Sequence, residues 1–389
     1  MNKRKIFNDP VYGFISLPYD STFDLVEHPY FQRLRRIKQL GLSDYVYPGA
    51  HHTRFHHALG ALHLTVEALA TLRAKGISIT EEEEEAVCIA ILLHDIGHAP
   101  FSHALEYMFT DLHHEKVSQL YFDELAQEFT HPLTMASQIY SDTYPKRFLH
   151  QLVSSQLDMD RMDYLNRDSF FTGVAEGIIG YDRIIKMLMV IDDNLVIEEK
   201  GLLSIENFLM ARRMMYWQVY LHKTVIAAEQ MLRKFLSILK TEEIITPNPT
   251  LNMLWYKNNT DHEFIVNFAS LDDYDIITLL KLYNRGKNPY LSLLAQGLLH
   301  RKLFKTRFKN EPFTPEEIHQ LAQEVSTKYG QETARELVLT GSESNMHYAG
   351  GANEIGILQK NGQVCPLSQL TDFPAENRIS TKYFCCFPV

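Results

Sequence analysis

The sequence predicts a mainly α-helical fold with small β-hairpins and a C-terminal lobe of mixed α and β structure. Apolar residues recur at helical spacing along most of the chain, as in residues 55–75, where Lys75-Gly76 ends the pattern. Strand patterns are short and local. The clearest lies around Asn361-Gly362, because Asn-Gly between two short apolar runs is typical of a two-residue hairpin.

Capping and linker patterns define the elements in order. Thr80 followed by Glu83 forms a capping box, so a helix is expected to begin there with the acidic run 81–85 in its first turn. The proline-rich segment 246–249 predicts a linker between residues 1–245 and an α+β lobe of residues 246–389. Further helices are expected at about 114–128, 131–140, 146–168, 181–190, 203–240, 271–284, 290–305 and 315–337. Strands are expected at 11–17, at 189–191 with 195–197, and at 355–358 with 363–367.

Composition argues against several classes of protein. The 389 residues carry a formal net charge of −10, so the chain has no global electrostatic attraction to nucleic acid or to an anionic membrane. No apolar run approaches the ~18 residues of a membrane span, and the N-terminus lacks the apolar segment of a signal peptide. The four cysteines show no CxxC spacing. A reduced, cytoplasmic protein is expected, without nucleic acid or membrane as a partner.

Two imidazoles and two carboxylates mark a candidate metal site. His57 lies in RFHHALG, the pair His94-Asp95 opens HDIGHAPFSH, and Asp160 lies in LDMDRMDYLNRD. The pair ends the apolar run 86–93, so both polar groups are expected where a buried helix reaches a cavity; burial without partners would be costly. This donor set suits a divalent cation, and it accepts iron, manganese, zinc, nickel or cobalt.

The order of the motifs resembles a known family. RFxHxxG, HDxGHxPFSH and DxxDYxxRD follow one another as in the HD superfamily of metal-dependent phosphohydrolases, and FQRLRRIKQLG (31–41) and YLHK (220–223) extend the match. Within the superfamily the chain is similar to the deoxynucleoside triphosphate triphosphohydrolase branch, over roughly residues 10–240. The resemblance implies an HD-domain helical core in residues 1–245, a divalent metal, and magnesium bound with the nucleotide. It also implies hydrolysis of dNTPs to deoxynucleoside and triphosphate.

The resemblance assigns roles to the catalytic residues. His103 resembles the general acid that protonates the leaving sugar oxygen, and Glu106 and His114 occupy the positions that orient it. The family usually has aspartate where this chain has Glu106. His98 resembles a histidine that contacts phosphate beside the metal. The residues that resemble the metal ligands are His57, His94, Asp95 and Asp160.

Further residues resemble the family's substrate contacts. Those that match triphosphate-binding cations are Arg54, Arg161, Arg212 and Lys223. Those that match sugar-binding residues are Gln39, Leu40, Tyr164, Asp168 and Tyr220. Leu40 is expected to crowd the 2′ position, and Tyr164 and Asp168 to hold the 3′-hydroxyl. Asp160, Tyr164 and Asp168 are spaced four apart and so share one helix face. For Leu40 and Tyr220, ordinary core packing stays open as an alternative.

A regulatory site is also implied by the resemblance. Glu27, Gln32 and Arg35 stand where the allosteric relatives bind a guanine nucleotide at a subunit interface. A homodimer or homotetramer activated by dGTP or GTP would follow. The alternative is that residues 31–41 form a basic amphipathic helix whose arginines are solvated.

Two other functions stay open at this point. The chain could hydrolyse another nucleotide, such as a nucleoside monophosphate, a cyclic dinucleotide or an alarmone. It could instead be a regulator that senses nucleotides with the same pocket. The set of sugar-checking residues favours dNTPs over the first alternative, and the intact ligand set argues against the second.

Overall fold

Helices form most of the structure, as the sequence predicts. The computed structural model describes residues 5–257, 261–346, 354–371 and 379–389. The helices up to residue 187 are α1 (Asp20–Glu27), α2 (Pro29–Gln32), α3 (Arg54–Ala74), α4 (Glu81–Leu93), α5 (His114–Tyr140), α6 (Arg147–Val153), α7 (Met159–Thr172) and α8 (Tyr181–Met187). Those that follow are α9 (Leu202–Met215), α10 (Lys223–Thr241), α11 (Pro249–Tyr256), α12 (Asp261–Ala269), α13 (Asp273–Tyr283), α14 (Pro289–Leu299), α15 (Pro315–Tyr329) and α16 (Gln331–Leu337).

Side-chain caps decide where the helices around the site begin. The predicted capping box of α4 is present, since Thr80 Oγ1 accepts the Glu83 N–H at 3.2 Å and Glu83 Oε2 accepts the Thr80 N–H at 2.9 Å. The single helix expected at 146–168 is broken into α6 and α7. The break occurs because Asp158 caps α7, where its Oδ1 accepts the Arg161 N–H at 2.7 Å.

Other boundaries differ from the sequence pattern as well. The two helices expected on either side of residue 130 form the single helix α5, which contains Pro132. The long helix expected at 203–240 is divided by a π-helical turn, Tyr216–Tyr220, between α9 and α10. The strand expected at 11–17 belongs to a hairpin that begins earlier in the chain.

Three small sheets accompany the helices. The strands are β1 (Ile6–Asp9), β2 (Gly13–Ser16), β3 (Leu188–Ile191), β4 (Asn194–Glu198), β5 (Lys305–Lys309), β6 (Leu339–Met346), β7 (Gly356–Leu358), β8 (Val364–Pro366) and β9 (Ile379–Phe387). β1 pairs with β2, the order β3-β4-β7-β8 forms the second sheet, and β5-β9-β6 forms the third. The predicted hairpins β3–β4 and β7–β8 are both present, and β4 pairs with β7 in parallel.

The core positions the ends of three helices next to one another. α3 packs against α4 and α7, and α4 also packs against α5. The apolar run of α4, residues 86–93, is fully buried, so its C-terminal end delivers His94 and Asp95 to the interior. Among the described residues, no helix is both long enough and apolar enough to cross a membrane. The division of the chain near residue 246 stays a prediction.

Candidate active site

The structure brings the four predicted metal ligands together. His57 comes from α3, His94 and Asp95 directly follow α4, and Asp160 lies in the first turn of α7. His57 Nε2 lies 3.0 Å from Asp160 Oδ1 and 3.3 Å from His94 Nε2. Asp95 completes the group, with carboxylate oxygens 3.5 Å from His57 Nε2 and 3.4 Å from His94 Nε2.

These distances fit a divalent metal ion. Bonds of about 2.1 Å from one ion to nitrogen and oxygen ligands, diverging by roughly 90–110°, separate neighbouring ligand atoms by about 3.0–3.4 Å. The separations among His57, His94 and Asp160 are 3.0–3.4 Å. Two imidazole Nε2 atoms and the Asp160 Oδ1 atom thus face one common point, which is where an ion would be bound. The donor set therefore fits a divalent ion, and its chemistry does not select one metal.

Hydrogen bonds outside the cluster orient both imidazoles. His57 Nδ1 lies 2.7 Å from Asp163 Oδ2, and His94 Nδ1 lies 2.6 Å from the Ile91 carbonyl oxygen. Because each Nδ1 donates outward, each Nε2 presents its lone pair to the cluster. Such outer partners usually fix the tautomer and the ring orientation of metal-binding histidines.

The electrostatics of the cluster favour a bound cation. Burial alone would lower the pKa of His57, but contacts with Asp160 and Asp163 raise it to about 10. Burial would raise the pKa of Asp160, yet contacts with both histidines hold the pKa of that carboxyl well below its ordinary value. Protons and a metal ion compete for the same lone pairs, so metal binding here would release protons.

A second group of side chains lies beside the metal cluster. Glu106 joins two of the predicted catalytic histidines: its Oε2 is 3.2 Å from His103 Nδ1, and its Oε1 is 2.7 Å from His114 Nδ1. Burial would raise the pKa of Glu106, but these two contacts hold it well below its ordinary value. His98 links the group to the cluster, with Nε2 3.2 Å from Asp95 Oδ1. The side chain of His103 is 63% exposed, so a substrate can reach it.

The histidine group suits proton transfer better than metal binding. The rings of His98 and His114 stack with centroids 4.0 Å apart and planes 18° apart. Imidazole binds a metal in the plane of its ring, so two nearly parallel rings do not direct lone pairs at one ion. Burial lowers the pKa of both His98 and His103, that of His98 well below its ordinary value. Only the side chain of His103 is exposed, so it is the one of the two that could exchange a proton with a substrate.

The predicted triphosphate-binding cations have different surroundings. Arg54 is buried, forms an ion pair with Asp95, and donates from Nε to Ser102 Oγ at 2.8 Å. Arg161 donates to the Ser155 carbonyl oxygen at 2.9 Å. The Nε of Arg212 is buried without a hydrogen-bond partner, as expected for a donor that awaits an anion. Lys223 is exposed at the start of α10.

Two of the predicted sugar-binding residues, Tyr220 and Asp168, are in direct contact. Tyr220 donates from its hydroxyl to Asp168 Oδ2 at 2.8 Å, and the ring of Tyr164 lies 6.2 Å from that of Tyr220. Gln39 contributes a buried side-chain oxygen that accepts no hydrogen bond. Leu40 is half-buried against the core. The π-helical turn that carries Tyr220 directs it toward α7, and such turns often occur at functional sites.

The three predicted regulatory residues lie near the N-terminal hairpin. Arg35 donates from Nε to Gln32 Oε1 at 2.8 Å, and its guanidinium lies 3.6 Å from the centre of the Phe55 ring. Glu27 pairs with Lys5 at 2.5 Å. Residues 31–41 do not form the continuous amphipathic helix of the alternative interpretation, because α2 ends at Gln32 and a 3-10 turn follows.

Two structural partners of the site were not identified from the sequence. Asp163, which orients His57, is fully buried and paired with Arg167 at 2.9 Å. Arg167 also binds Asp9 at 2.7 Å, which ties β1 to the site. Asp160, Asp163 and Arg167 lie on one face of α7, so their spacing was an available signal. His52 is the other, with Nε2 2.7 Å from Asp168 Oδ1.

Comparison with known proteins identifies the domains that carry these residues. Residues 54–168 match the HD domain, and residues 179–342 match the HD associated region. A phosphohydrolase from Bacteroides thetaiotaomicron, known from a crystal structure, is 46% identical with a TM-score of 0.93 over 99% of this chain and 100% of that one. The uncharacterized protein YwfO of Bacillus subtilis is 31% identical over 95% of this chain and 88% of its own length.

A more distant relative has a named activity. The deoxynucleoside triphosphate triphosphohydrolase SAMHD1 homolog of Dictyostelium discoideum is 32% identical over 59% of this chain. The match covers 48% of that protein, so this chain spans about half the length of the relative.

Proposed function

Because the chain belongs to the HD-domain phosphohydrolase family, we propose that it hydrolyses deoxynucleoside triphosphates to deoxynucleoside and inorganic triphosphate. The relative from Dictyostelium named for this reaction supports the choice of substrate. Water would attack the α-phosphorus, and the bond from that phosphorus to the sugar 5′-oxygen would break. The proton for the departing 5′-oxygen would come from His103.

One observation carries the choice of a nucleotide sugar. Asp168 lies on the same face of α7 as Asp160, two helical turns away, which places the two levels about 12 Å apart. That distance leaves room for a deoxyribose and its α-phosphate between a hydroxyl-binding carboxylate and the metal cluster. The unpartnered oxygen of Gln39 would accept a hydrogen bond from a sugar hydroxyl.

The residues of the chain divide the work. His57, His94, Asp95 and Asp160 would hold the metal, which when bound supplies Lewis-acid stabilisation of charge on a phosphoryl oxygen. Arg212 and Arg161 would bind the triphosphate, since guanidinium donors match phosphate oxygens. Glu106 would hold His103 in position and offset part of the decrease in pKa that burial causes. Iron, manganese, zinc, nickel and cobalt all suit the cluster, with magnesium accompanying the nucleotide.

A product assay tests the proposal. Protein loaded separately with each of these metals would be incubated with dNTPs, NTPs, nucleoside monophosphates, cyclic dinucleotides and alarmones, and the products would be resolved by chromatography. Release of deoxynucleoside together with triphosphate supports the proposal. Hydrolysis confined to another nucleotide would contradict it, and binding without turnover would instead indicate a nucleotide-sensing regulator.

Deoxyribonucleotides are expected to be preferred because Leu40 crowds the 2′ position. A 2′-hydroxyl against this side chain would lose its water partners, which costs on the order of 1–3 kcal/mol. Replacing Leu40 by glycine should therefore narrow the ratio of kcat/KM for dGTP over GTP. Leu40→Met, which conserves volume, should keep the ratio and serves as the control. Equal hydrolysis of dGTP and GTP by the wild-type protein would refute the sugar gate.

We also propose that the chain assembles into a dimer or tetramer that dGTP or GTP activates through Glu27, Gln32 and Arg35. A ligand bound only by the assembly must stabilise it, so added dGTP should raise both oligomer size and dATP hydrolysis. Arg35→Ala should remove the response, because Arg35 is the cation of the group, while metal binding persists. Exposed Arg285, replaced by alanine, is the matched control.

Light scattering and dATP turnover with and without dGTP provide the readouts. A monomer under both conditions would contradict the regulatory proposal. So would a dATP turnover that dGTP leaves unchanged.

A further inference from the structure

The turn that carries His103 has an unusual backbone. Phe101 and Ser102, the two residues before His103, both have a φ of 57°, in the left-handed region that side chains other than glycine rarely adopt. Two such residues in succession persist only when surrounding contacts hold them. The contacts that hold this turn therefore decide where His103 lies.

A carboxylate distant in sequence supplies one of those contacts. Asp273, in the first turn of α13, accepts the Phe101 N–H on Oδ1 at 2.6 Å. Its other oxygen, Oδ2, accepts the Lys38 N–H at 2.9 Å. Asp273 is only 5% exposed, and burial raises its pKa to about 6. A buried carboxylate that binds two backbone amides is costly unless both bonds are kept.

The two segments joined by Asp273 are also linked directly. Ser102 donates from Oγ to the Lys38 carbonyl oxygen at 2.7 Å, and Arg54 donates from Nε to the same Oγ at 2.8 Å. Arg54 in turn binds Asp95. A continuous hydrogen-bonded path thus leads from α13 through Lys38 and Ser102 to the metal cluster.

A second link joins the segment before α13 to the turn after α4, which precedes the turn of His103. Arg33 is fully buried and donates from Nε to the Leu271 carbonyl oxygen at 2.6 Å. Its Nη1 lies 3.4 Å from the carbonyl oxygen of Ile96, within the turn that holds His94 and His98. The N-terminal end of α13 is therefore fastened at two points to the segment that carries the histidines.

We propose that Asp273 is a positioning residue, which holds the turn of His103 against the segment that carries Gln39 and Leu40. The HD-associated region would thereby complete the active site of the HD domain. The roles of His103 and of the sugar-side residues rest on the proposed function; the placement of the turn by Asp273 does not.

Asp273→Asn tests the proposal with little change in shape. The amide can accept only through its one oxygen, so either Phe101 or Lys38 loses its acceptor. We expect kcat for dGTP to fall by about 10–100-fold, the range for small misplacements of catalytic groups, and the preference for dGTP over GTP to narrow. Metal content should stay at the wild-type level. Asp273→Glu keeps both acceptor oxygens and should retain more activity than Asp273→Asn.

The matched control changes the same helix end without touching either segment. Asp275 accepts the Asp272 N–H at 2.9 Å as part of the cap of α13, so Asp275→Asn tests general damage to this helix. Besides kcat and the preference for dGTP, one readout is independent of activity. It is the set of imidazole NMR signals of His103 in the zinc-loaded protein. These signals should move in Asp273→Asn and stay in place in Asp275→Asn.

The outcomes separate this inference from the proposed function. If Asp273→Asn leaves both the His103 signals and the preference for dGTP unchanged, Asp273 does not position the turn, regardless of any change in melting temperature. A lowered melting temperature alone would show a purely structural contact and would overturn it as well. A wild-type protein that hydrolyses no dNTP would refute the proposed function, and the NMR signals would still decide whether Asp273 positions His103.

Discussion

Replacing Asp95 by alanine is expected to remove both the bound metal and the activity while the helical fold survives. Asp95 contributes carboxylate oxygens within 3.5 Å of both histidine Nε2 atoms, so its loss opens one side of the cluster. We expect turnover to fall by on the order of 10⁴-fold or more, as when one member of a catalytic unit is removed. Elemental analysis, circular dichroism and steady-state kinetics would measure the three quantities.

The Asp95→Ala substitution also affects Arg54, which is buried and pairs with Asp95. Alanine leaves that guanidinium without its partner, and an unpaired buried charge costs about 3–5 kcal/mol of stability. Asp95→Asn keeps an oxygen for Arg54 and separates loss of metal from loss of fold. The exposed Asp111, replaced by alanine, is the control for a carboxylate removed elsewhere. An Asp95→Ala protein with full metal content would refute the four-ligand cluster.

Replacing His103 by alanine is expected to lower kcat by about 10²–10⁴-fold, the range for a positioned acid or base. His103 is exposed and held by Glu106, so it could donate a proton to the leaving 5′-oxygen without binding the metal. Metal content should therefore stay unchanged, in contrast to Asp95→Ala. Near-normal turnover would reassign the acid, first of all to His98.

The pH profile checks the same assignment. Only the protonated imidazole can act as the acid, so the rate should fall as pH rises through the pKa of His103. Burial lowers the pKa of His103 below its ordinary value, and the contact with Glu106 acts in the opposite direction. Glu106→Gln should then move the falling limb of kcat to lower pH. A limb that stays in place would show that Glu106 does not tune His103.

Local sequence patterns predicted the helices that carry the site residues. They did not predict the contacts that hold those residues in position. The motif around His94 ends a fully apolar run, so the delivery of His94 and Asp95 to a buried position follows from the residues of α4 alone. The break before Asp160 was missed, because the helical pattern continues through it and only the cap by Asp158 stops it. Periodicity reports which face is buried and says little about where one helix ends.

The contacts missed from sequence are those between distant segments. Asp273 and Phe101 are 172 residues apart, and neither position carries a pattern that names the other. Arg167 joins Asp163 to Asp9, which is 158 residues away. A buried ion pair needs a partner, but the identity of that partner depends on the packing of whole helices.

The parallel pairing of β4 with β7 delays the completion of folding during synthesis. Val196 pairs with Gly356, so this sheet can close only after residue 356 has left the ribosome. The helices that hold the metal ligands all lie before residue 173 and can pack earlier. During that interval the edge of β4 has unpaired backbone groups, and such an edge attracts strands of other chains. A nascent or truncated chain lacking β7 is therefore the form most exposed to aggregation.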